Sequence, residues 1–366
     1  MIQMAKPQIG NEEIQRVEAV LRSGMIASGA VVAEFEAGFA KYCGSKHAIA
    51  ANNGTTALHL ALEAVGIQKG DKVLTTPFTF IASSNSIRFC GAKPVFADID
   101  PATYNLDPKA ARAALEKDPS IKAILLVHLY GLPCDMGAFL KLKKEFGVLL
   151  IEDCAQAHGA IWDGEKVGSI GDISAFSFYA TKNMITGEGG MVLTSSDAYA
   201  ALARKLVNHG RVGAYEHDIL GYNYRMTNIA AAIGVCQLEK LPHLNRRRQE
   251  IATRLNRELS RLKWLTTPTV PSGLEHVWHQ YTIRVPKNRD ALKSHLEKSG
   301  VSSAIVYPLA NCEQKAYAEI SGCKPGHCLN PVSYQASQEV LSLPVHPGLT
   351  DADVSEIIKA VSSFSA

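Results

Sequence analysis

The chain has 366 residues, more than a single hydrophobic core usually supports, and this length predicts one large domain together with a smaller one. Apolar residues make up 46% and charged residues 20% of the chain, a composition that excludes an extended disordered protein. The formal net charge of +3 is too small for a protein that binds the phosphate backbone of nucleic acids, so we expect no nucleic-acid partner.

No stretch reaches the roughly 18 apolar residues that a membrane span requires, and we expect no membrane partner. The first ten residues lack the charged-then-apolar layout of a signal peptide, which predicts a cytoplasmic protein. The eight cysteines include no CxxC pair and indicate reduced thiols rather than a disulfide framework. Cys312, Cys323, His327 and Cys328 lie near one another in the sequence, but their spacing matches no standard zinc pattern, and we predict no metal site.

Short apolar runs alternate with helical patterns between residues 45 and 195, which is typical of a mostly parallel sheet flanked by helices. The predicted strands are residues 46–51, 72–75, 93–96, 123–127 and 148–151. The predicted helices in this part are residues 55–65 and 81–89. The sequence therefore predicts an α/β fold whose ligand site lies where the strands end.

Beyond residue 223 the pattern changes to two long helices, residues 227–241 and 246–261, which Pro242 separates. The remaining predicted elements are a strand at 281–285, a helix at 290–298 and a strand at 303–307. We predict a large α/β domain at residues 1–245 and a small C-terminal α+β domain at residues 246–366. The N-terminal segment 1–25 is a candidate to pack on the small domain.

A turn with the sequence NNGTTA, residues 52–57, joins the first predicted strand to the first predicted helix. Backbone N–H groups, two hydroxyls and the positive end of a helix converge there, which favours binding of an anion such as phosphate. An Asn-Gly turn followed by a plain helix N-cap would have the same sequence, so this motif is ambiguous by itself.

Two charged residues follow buried apolar runs further along the chain. Asp153 ends the run VLLIED, where it could cap the next segment or pair with a buried cation such as a protonated pyridine nitrogen. Glu152 should point to the opposite side. Lys182 stands between an apolar run and the glycine-rich TGEGG segment, a setting that favours a desolvated Schiff-base lysine over a solvated surface lysine.

Longer motifs occur in the same order along almost the whole chain: NNGTTALHLAL, PFTFIASSNSI, GAKPVFADID, VHLYG, IEDCAQAHGA, FSFYATKN, TGEGG, LGYNYRMTNIAAAIG and LSLPVHP. Together they resemble the DegT/DnrJ/StrS family of nucleotide-sugar aminotransferases. These are enzymes of fold type I, the aspartate aminotransferase-like class, that use pyridoxal 5'-phosphate (PLP). The resemblance implies a PLP-dependent transferase fold with a smaller C-terminal domain.

By this resemblance Lys182 forms the Schiff base with PLP and then moves a proton between the amino donor and the cofactor. Asp153 holds the pyridine nitrogen protonated, so that the ring accepts electrons. Gln156 contacts the 3-oxygen side of the ring, and Phe80 stacks on one ring face.

The phosphate ligands implied by the resemblance are Thr55, Thr56 and Ser177, with Gly54 in the same turn. Asn223 matches a residue that reaches the phosphate of the neighbouring subunit, which implies a homodimer with shared active sites. A turn residue before a helix is the alternative for Asn223.

Three further residues are more ambiguous. Arg225 either binds a carboxylate or diphosphate of the substrate or pairs with a structural acid. Tyr307 stands where relatives place donor or sugar contacts. His158 fits an interior histidine better than a site residue.

The implied reaction is ping-pong: L-glutamate gives its nitrogen to PLP, and the resulting pyridoxamine 5'-phosphate aminates a 3- or 4-keto hexose on a nucleoside diphosphate. The product is an amino sugar for polysaccharide or other glycan synthesis. The keto position stays open, because CAQAHGA resembles relatives that act at C3 and FYATKNMITGEGG resembles enzymes that act at C4. Asn311 also stands near the place where relatives carry a histidine.

Three other functions are alternatives to this one. The sugar dehydratases of the family carry histidine in place of the lysine, and Lys182 argues against them. A non-catalytic PLP-binding regulatory protein of the same family is the main alternative, and the retained lysine, aspartate and phosphate turn disfavour it. A nicotinamide dehydrogenase would need GxGxxG after the first strand, where this chain has NNGTTA.

Overall fold

The computed structural model describes residues 1–321 and 329–365. The N-terminal two thirds of the chain alternates helices and strands. These elements are α1 (Asn11–Ser23), α2 (Ala30–Cys43), β1 (His47–Ala51), α3 (Gly54–Ala64), β2 (Lys72–Thr75), α4 (Ile81–Phe89), β3 (Lys93–Phe96), α5 (Pro108–Lys117), β4 (Ile121–Val127), α6 (Met136–Phe146), β5 (Leu149–Asp153), β6 (Ile161–Trp162), β7 (Glu165–Lys166), β8 (Ile173–Ser177), β9 (Gly190–Thr194) and α7 (Asp197–Leu206).

A seven-stranded sheet with the order β1-β9-β8-β5-β4-β2-β3 forms the centre of this region. Neighbouring strands from β8 to β3 pair in parallel, whereas β9 runs antiparallel to both β8 and β1. The sheet is therefore mostly parallel, and the predicted α/β fold is confirmed. All five predicted strands are present, with bounds that shift by no more than a few residues.

Alternating side chains of the strands pack on the two faces of the sheet, as the two-residue period of a strand requires. On one face, side chains such as Val73, Leu125 and Ile151 pack with α3, α4 and α7. On the other face, Leu74, Ile124 and Leu150 pack with α5 and α6. Both faces are thus covered, which explains why these strands have nearly continuous apolar sequences.

The rest of the chain comprises α8 (Asn228–Leu259), β10 (Leu274–Glu275), β11 (Tyr281–Arg284), α9 (Arg289–Lys298), α10 (Ala318–Ser321), α11 (Pro331–Glu339), β12 (Val340–Leu343) and α12 (Asp351–Ser362). β11 and β12 form an antiparallel pair. The prediction of a strand at 303–307 was wrong, because in this segment only Ala304 forms an isolated bridge, to Ser342. The segment therefore lies beside the β11–β12 pair without extending it.

The prediction that Pro242 separates two helices was also wrong, since α8 is one helix of 32 residues that contains Pro242. A proline inside a helix costs roughly 3 kcal/mol because it removes a backbone donor. Leu241 packs in one hydrophobic cluster, and Ile251 and Leu255 pack in a C-terminal cluster with β11 and β12. We infer that burial on both sides of Pro242 outweighs the cost of the proline.

The proposed domain boundary near residue 245 falls inside α8, between the side chains that pack in these two clusters. The N-terminal segment contacts the C-terminal region, because the backbone N–H of Ile2 donates to the carbonyl oxygen of Gly300 at 2.7 Å. In the described residues, no helix has the length and apolar character needed to cross a membrane. The six cysteines that the structure describes are buried.

Candidate active site

A cavity of about 620 Å³ opens at the carboxyl ends of β4, β5 and β8 and at the first turns of α3 and α4. Most of the predicted site residues converge on it, although they are spread over more than 250 positions of sequence. Those that line the cavity are Gly54, Thr55, Thr56, Phe80, Asp153, Gln156, Ser177, Lys182 and Tyr307. Asn223 and Arg225 do not line it.

The first turn of α3 forms one wall. Asn53 caps the helix, because its side-chain oxygen accepts from the backbone N–H of Thr56 at 2.9 Å. A Cβ on Gly54 would lie 2.5 Å from the Cβ of Ser177, so only glycine permits this approach between α3 and the end of β8. The turn is thus both a helix cap and a set of hydroxyls at a positive helix end, an arrangement that suits a phosphate.

Asp153 lies at the end of β5 and is 4% exposed. Its carboxylate accepts from the Ser83 hydroxyl at 2.7 Å and from the backbone N–H of Ala155 at 3.1 Å. Burial raises the pKa of Asp153, and these two hydrogen bonds and the charge of Lys182 oppose that rise. A buried carboxylate in this setting favours a cationic partner in the cavity.

Glu152 points to the opposite face of the sheet, as predicted. Its carboxylate accepts from the backbone N–H groups of Gly168 and Gly171 and lies 3.0 Å from Nε2 of His128. The other ring nitrogen of His128 accepts from the backbone N–H of Cys134. Because the Glu152 carboxylate and both ring nitrogens of His128 already have protein partners, we interpret this buried pair as structural rather than metal-binding.

Lys182 lies in the loop after β8, where its backbone N–H donates to the carbonyl oxygen of Tyr179 at 2.9 Å. Loss of hydration lowers the pKa of its amine to about 8, and the charge of Asp153 opposes this shift. Near neutral pH a larger fraction of such amines is neutral than for a lysine of ordinary pKa. Lys182 is therefore available as a nucleophile near neutral pH.

Gln156 is held in one orientation by two partners. Its side-chain oxygen accepts from the backbone N–H of Tyr130 at 2.8 Å, and its amide NH₂ donates to the Tyr307 hydroxyl at 2.7 Å. Tyr307 has a positive φ of 64°, which turns its side chain into the cavity at the cost of backbone strain. Phe80 is 59% exposed at the cavity wall, where a planar ring could cover it.

Asn223 and Arg225 lie beside the cavity wall instead of facing the cavity of their own chain. The backbone of Asn223 forms a bridge to Asn208, and the Arg225 guanidinium donates to the side-chain oxygen of Asn208 at 2.7 Å. Arg225 forms no ion pair with a carboxylate in the described part of the chain. His158 is also outside the cavity lining: it is buried between Phe176 and Phe178, and burial lowers its pKa to about 3.

Several cavity residues were not predicted from the sequence, notably Ser83, Tyr179, Glu188 and His279. Ser83 lies within the PFTFIASSNSI motif, and Glu188 within TGEGG, so motif membership was the only signal for them. His279 has no local signal at all. Asn311 is 2% exposed and donates to the Ser84 hydroxyl at 3.0 Å, and it does not line the cavity.

The predicted absence of a metal at the C-terminal cysteine group is not tested by the structure. Cys323, His327 and Cys328 lie outside the described residues, and only Cys312 of this group is described. Cys312 is fully buried and lies next to Asn330.

Comparison with known proteins places the chain among aminotransferases. A sequence model of the DegT/DnrJ/EryC1/StrS aminotransferase family matches residues 7–362. A GDP-perosamine synthase of Caulobacter vibrioides is 40% identical, over 98% of this chain and 97% of its own length. A UDP-N-acetyl-3-dehydro-alpha-D-glucosamine 3-aminotransferase of Acidithiobacillus ferrooxidans is 40% identical, over 89% of this chain and 86% of its own length.

Among solved structures, S. venezuelae DesV in complex with a ketimine intermediate has a similar fold, with a TM-score of 0.92 and 36% sequence identity. The match covers 96% of this chain and 93% of that chain. The likeness therefore includes both the central sheet and the C-terminal region.

Proposed function

Since the chain belongs to the DegT/DnrJ/EryC1/StrS aminotransferase family, we propose that it transfers an amino group from L-glutamate to a 3- or 4-keto sugar linked to a nucleoside diphosphate, with PLP as cofactor. The observation that carries this proposal is the placement of Lys182 and Asp153 in one cavity. The Lys182 amine has a pKa of about 8, and the buried Asp153 carboxylate would be stabilised by a cationic partner.

The residues of the cavity fit PLP in each of its parts. The first turn of α3 and the hydroxyls of Thr55 and Ser177 suit the phosphate. Asp153 suits a protonated ring nitrogen, and the exposed face of Phe80 suits the ring. When bound, PLP supplies an electron sink for the carbon that loses a proton during amino transfer.

Three residues of the chain would then have separate roles in the reaction. Lys182 Nζ would hold the cofactor and afterwards carry a proton at the donor carbon, which its lowered pKa permits near neutral pH. Asp153, fixed by Ser83 and Ala155, would keep the ring nitrogen protonated. Gln156, fixed by Tyr130 and Tyr307, would orient the ring edge.

The sugar substrate is proposed as a class. One relative is named for the synthesis of GDP-perosamine and another for amination of a 3-dehydro sugar on UDP, so the names of relatives support a nucleotide-linked keto sugar and leave its keto position open. Tyr307 lies in the cavity wall beside Gln156 and is our candidate for a sugar or donor contact. Arg225 is our candidate for a phosphate or carboxylate contact at a neighbouring subunit.

A homodimer with shared sites is part of the proposal. Asn223 lies outside the cavity of its own chain, which is compatible with a role in the site of a neighbouring subunit. The preceding segment exposes Val212 by 50%, Tyr215 by 94% and Leu220 by 85%, and a second subunit would cover such apolar side chains.

Mixing two inactive variants tests the shared site. Chains with Lys182→Ala and chains with Asn223→Ala should each be inactive alone. In a mixed dimer, one site would combine the intact Lys182 of one chain with the intact Asn223 of the other. An equal mixture should therefore regain about a quarter of wild-type activity, because half of the dimers are mixed and each has one intact site. A mixture that stays inactive would refute the shared site.

A spectrum with amino donors and keto sugars tests the activity itself. Addition of L-glutamate should bleach the visible absorbance of the cofactor, and a 3- or 4-keto nucleotide sugar should restore it with formation of an amino sugar. NMR of the product then gives the position of amination. A spectrum that no amino donor changes would favour the regulatory alternative, which the intact lysine and aspartate otherwise disfavour.

A further inference from the structure

A second, smaller cavity lies on the other side of the loop that carries Lys182. Its volume is about 20 Å³, and Thr181 and Lys182 line both this cavity and the larger one. The remaining walls come from the N-terminal residues 5–8, from α8 and from Pro347. The small cavity is therefore separated from the active site only by the lysine loop.

Arg248 on α8 brings a buried positive charge to this cavity. It is 5% exposed, and one of its terminal nitrogens donates to the carbonyl oxygens of Trp278 at 3.1 Å and His279 at 3.4 Å. Its Nε is buried without a hydrogen-bond partner. Burial lowers the pKa of Arg248 to about 10, so the group stays charged at neutral pH.

No carboxylate neutralises this charge within the part of the chain that the structure describes. The cavity is lined by Lys6, Lys182 and Arg248 and by no aspartate or glutamate. The acid on the adjacent helix, Glu13, already pairs with Lys240 and accepts from Gln237, both at 2.8 Å. A buried guanidinium without a counter-charge is costly, which points to a negative partner from outside the chain.

The volume limits the size of that partner. A cavity needs roughly 10–15 Å³ of this kind of space to hold one water molecule. About 20 Å³ therefore suits one small ion better than phosphate, sulfate or an amino-acid carboxylate. We propose that this cavity binds a single halide ion, chloride in solution, as the counter-ion of Arg248 behind the Lys182 loop.

Bromide diffraction tests the site directly, because bromide replaces chloride and scatters anomalously. Crystals of the protein grown with sodium bromide should show one anomalous peak in the cavity, within hydrogen-bond distance of the Arg248 guanidinium. A cavity that holds water or is empty, while bromide binds elsewhere on the surface, would overturn the proposal.

Thermal melting at constant ionic strength tests it in solution. Replacement of gluconate by chloride should raise the Tm of the wild type by on the order of 2 °C for each tenfold increase in chloride above its dissociation constant. Arg248→Met should abolish this chloride dependence and Lys6→Met should weaken it. Lys141→Met, a change at an exposed lysine of α6 outside the cavity, should leave it intact.

Equal melting temperatures in chloride and gluconate, or a full chloride effect in Lys6→Met, would contradict the proposal. Should Arg248→Met fail to fold, the bromide map of the wild type and the Lys6→Met melting curve still decide the question. Neither measurement depends on turnover, so the proposed aminotransferase activity can fail without affecting this result, and the reverse is also true.

Discussion

Replacement of Asp153 by Asn separates the role of the carboxylate in the reaction from its role in folding. Asparagine keeps an acceptor for the Ala155 N–H, and the Ser83 hydroxyl can rotate to accept from the new amide. At most one hydrogen bond worth about 1 kcal/mol is lost, and relief of a buried charge offsets it. We therefore expect the free energy of unfolding of the cofactor-free variant to stay within about 1 kcal/mol of the wild type.

The effect on the reaction should be much larger. An amide cannot supply the charge that keeps a ring nitrogen protonated, and loss of one such charge-assisted partner typically slows the chemical step by about 10²–10³-fold, or roughly 3–4 kcal/mol. Stopped-flow absorbance of the half-reaction with L-glutamate measures this step in a single turnover. Asp290→Asn, at an exposed position of α9, is the matched control and should react at the wild-type rate.

The pH dependence of thermal unfolding gives a second measurement on the same variant. The folded-state pKa of Asp153 is raised, so ionisation of this group disfavours the fold at pH values above its ordinary range. The variant without cofactor should therefore melt no lower than the wild type at pH 7–8. A wild-type rate of the half-reaction in Asp153→Asn would refute the assignment of the carboxylate to the cofactor.

Three further predictions concern the lysine and its surroundings. Lys182→Ala should abolish transamination while pyridoxamine phosphate still binds. Borohydride reduction of the wild type with PLP should label the peptide that contains Lys182, and labelling of another lysine would exclude Lys182 as the residue that binds the cofactor. Because the folded-state pKa of Lys182 is lowered to about 8, the cofactor-free wild type should gain stability relative to Lys182→Ala as the pH rises from 8 towards 10.5; parallel melting curves would contradict this shift. Gly54→Ala should destabilise the fold by about 1–3 kcal/mol and weaken cofactor binding, and Ser177→Gly in the same chain should restore part of the loss; no recovery would exclude the close contact as the cause.

The sequence predicted the central sheet well because its strands are buried on both faces. Such strands have apolar runs of a length that helices seldom share, and residues such as Leu125 and Ile151 are fully buried where those runs predict. The helix through Pro242 could not be predicted from local pattern, since the burial that outweighs the proline comes from two separate clusters. The prediction of a strand at 303–307 failed for a related reason: the apolar residues of this segment pack beside a strand pair without forming a ladder of backbone hydrogen bonds.

The candidate site likewise contains residues that the local sequence predicts and residues that only the fold brings to the cavity. Lys182 and Asp153 could be predicted as site candidates because each follows an apolar run, and both line the cavity. Ser83 was not predicted, because its motif does not distinguish it from its neighbours and the carboxylate that it contacts lies 70 positions away. His279 likewise lines the cavity, and its ring contacts Asn183, which lies 96 positions earlier in the chain.

The antiparallel strand β9 fixes both ends of the loop that carries Lys182. Ser177 at the end of β8 pairs with Gly190 at the start of β9, so the intervening loop leaves and re-enters the sheet at one point. A Cβ on Gly190 would lie 2.3 Å from the carbonyl oxygen of Asn53, and a Cβ on Gly54 would meet Ser177. Two glycines thus let the first turn of α3 pack against both ends of the loop that carries Lys182. The distance between this turn and the backbone of Lys182 is therefore set by backbone packing, which side-chain motion cannot relax.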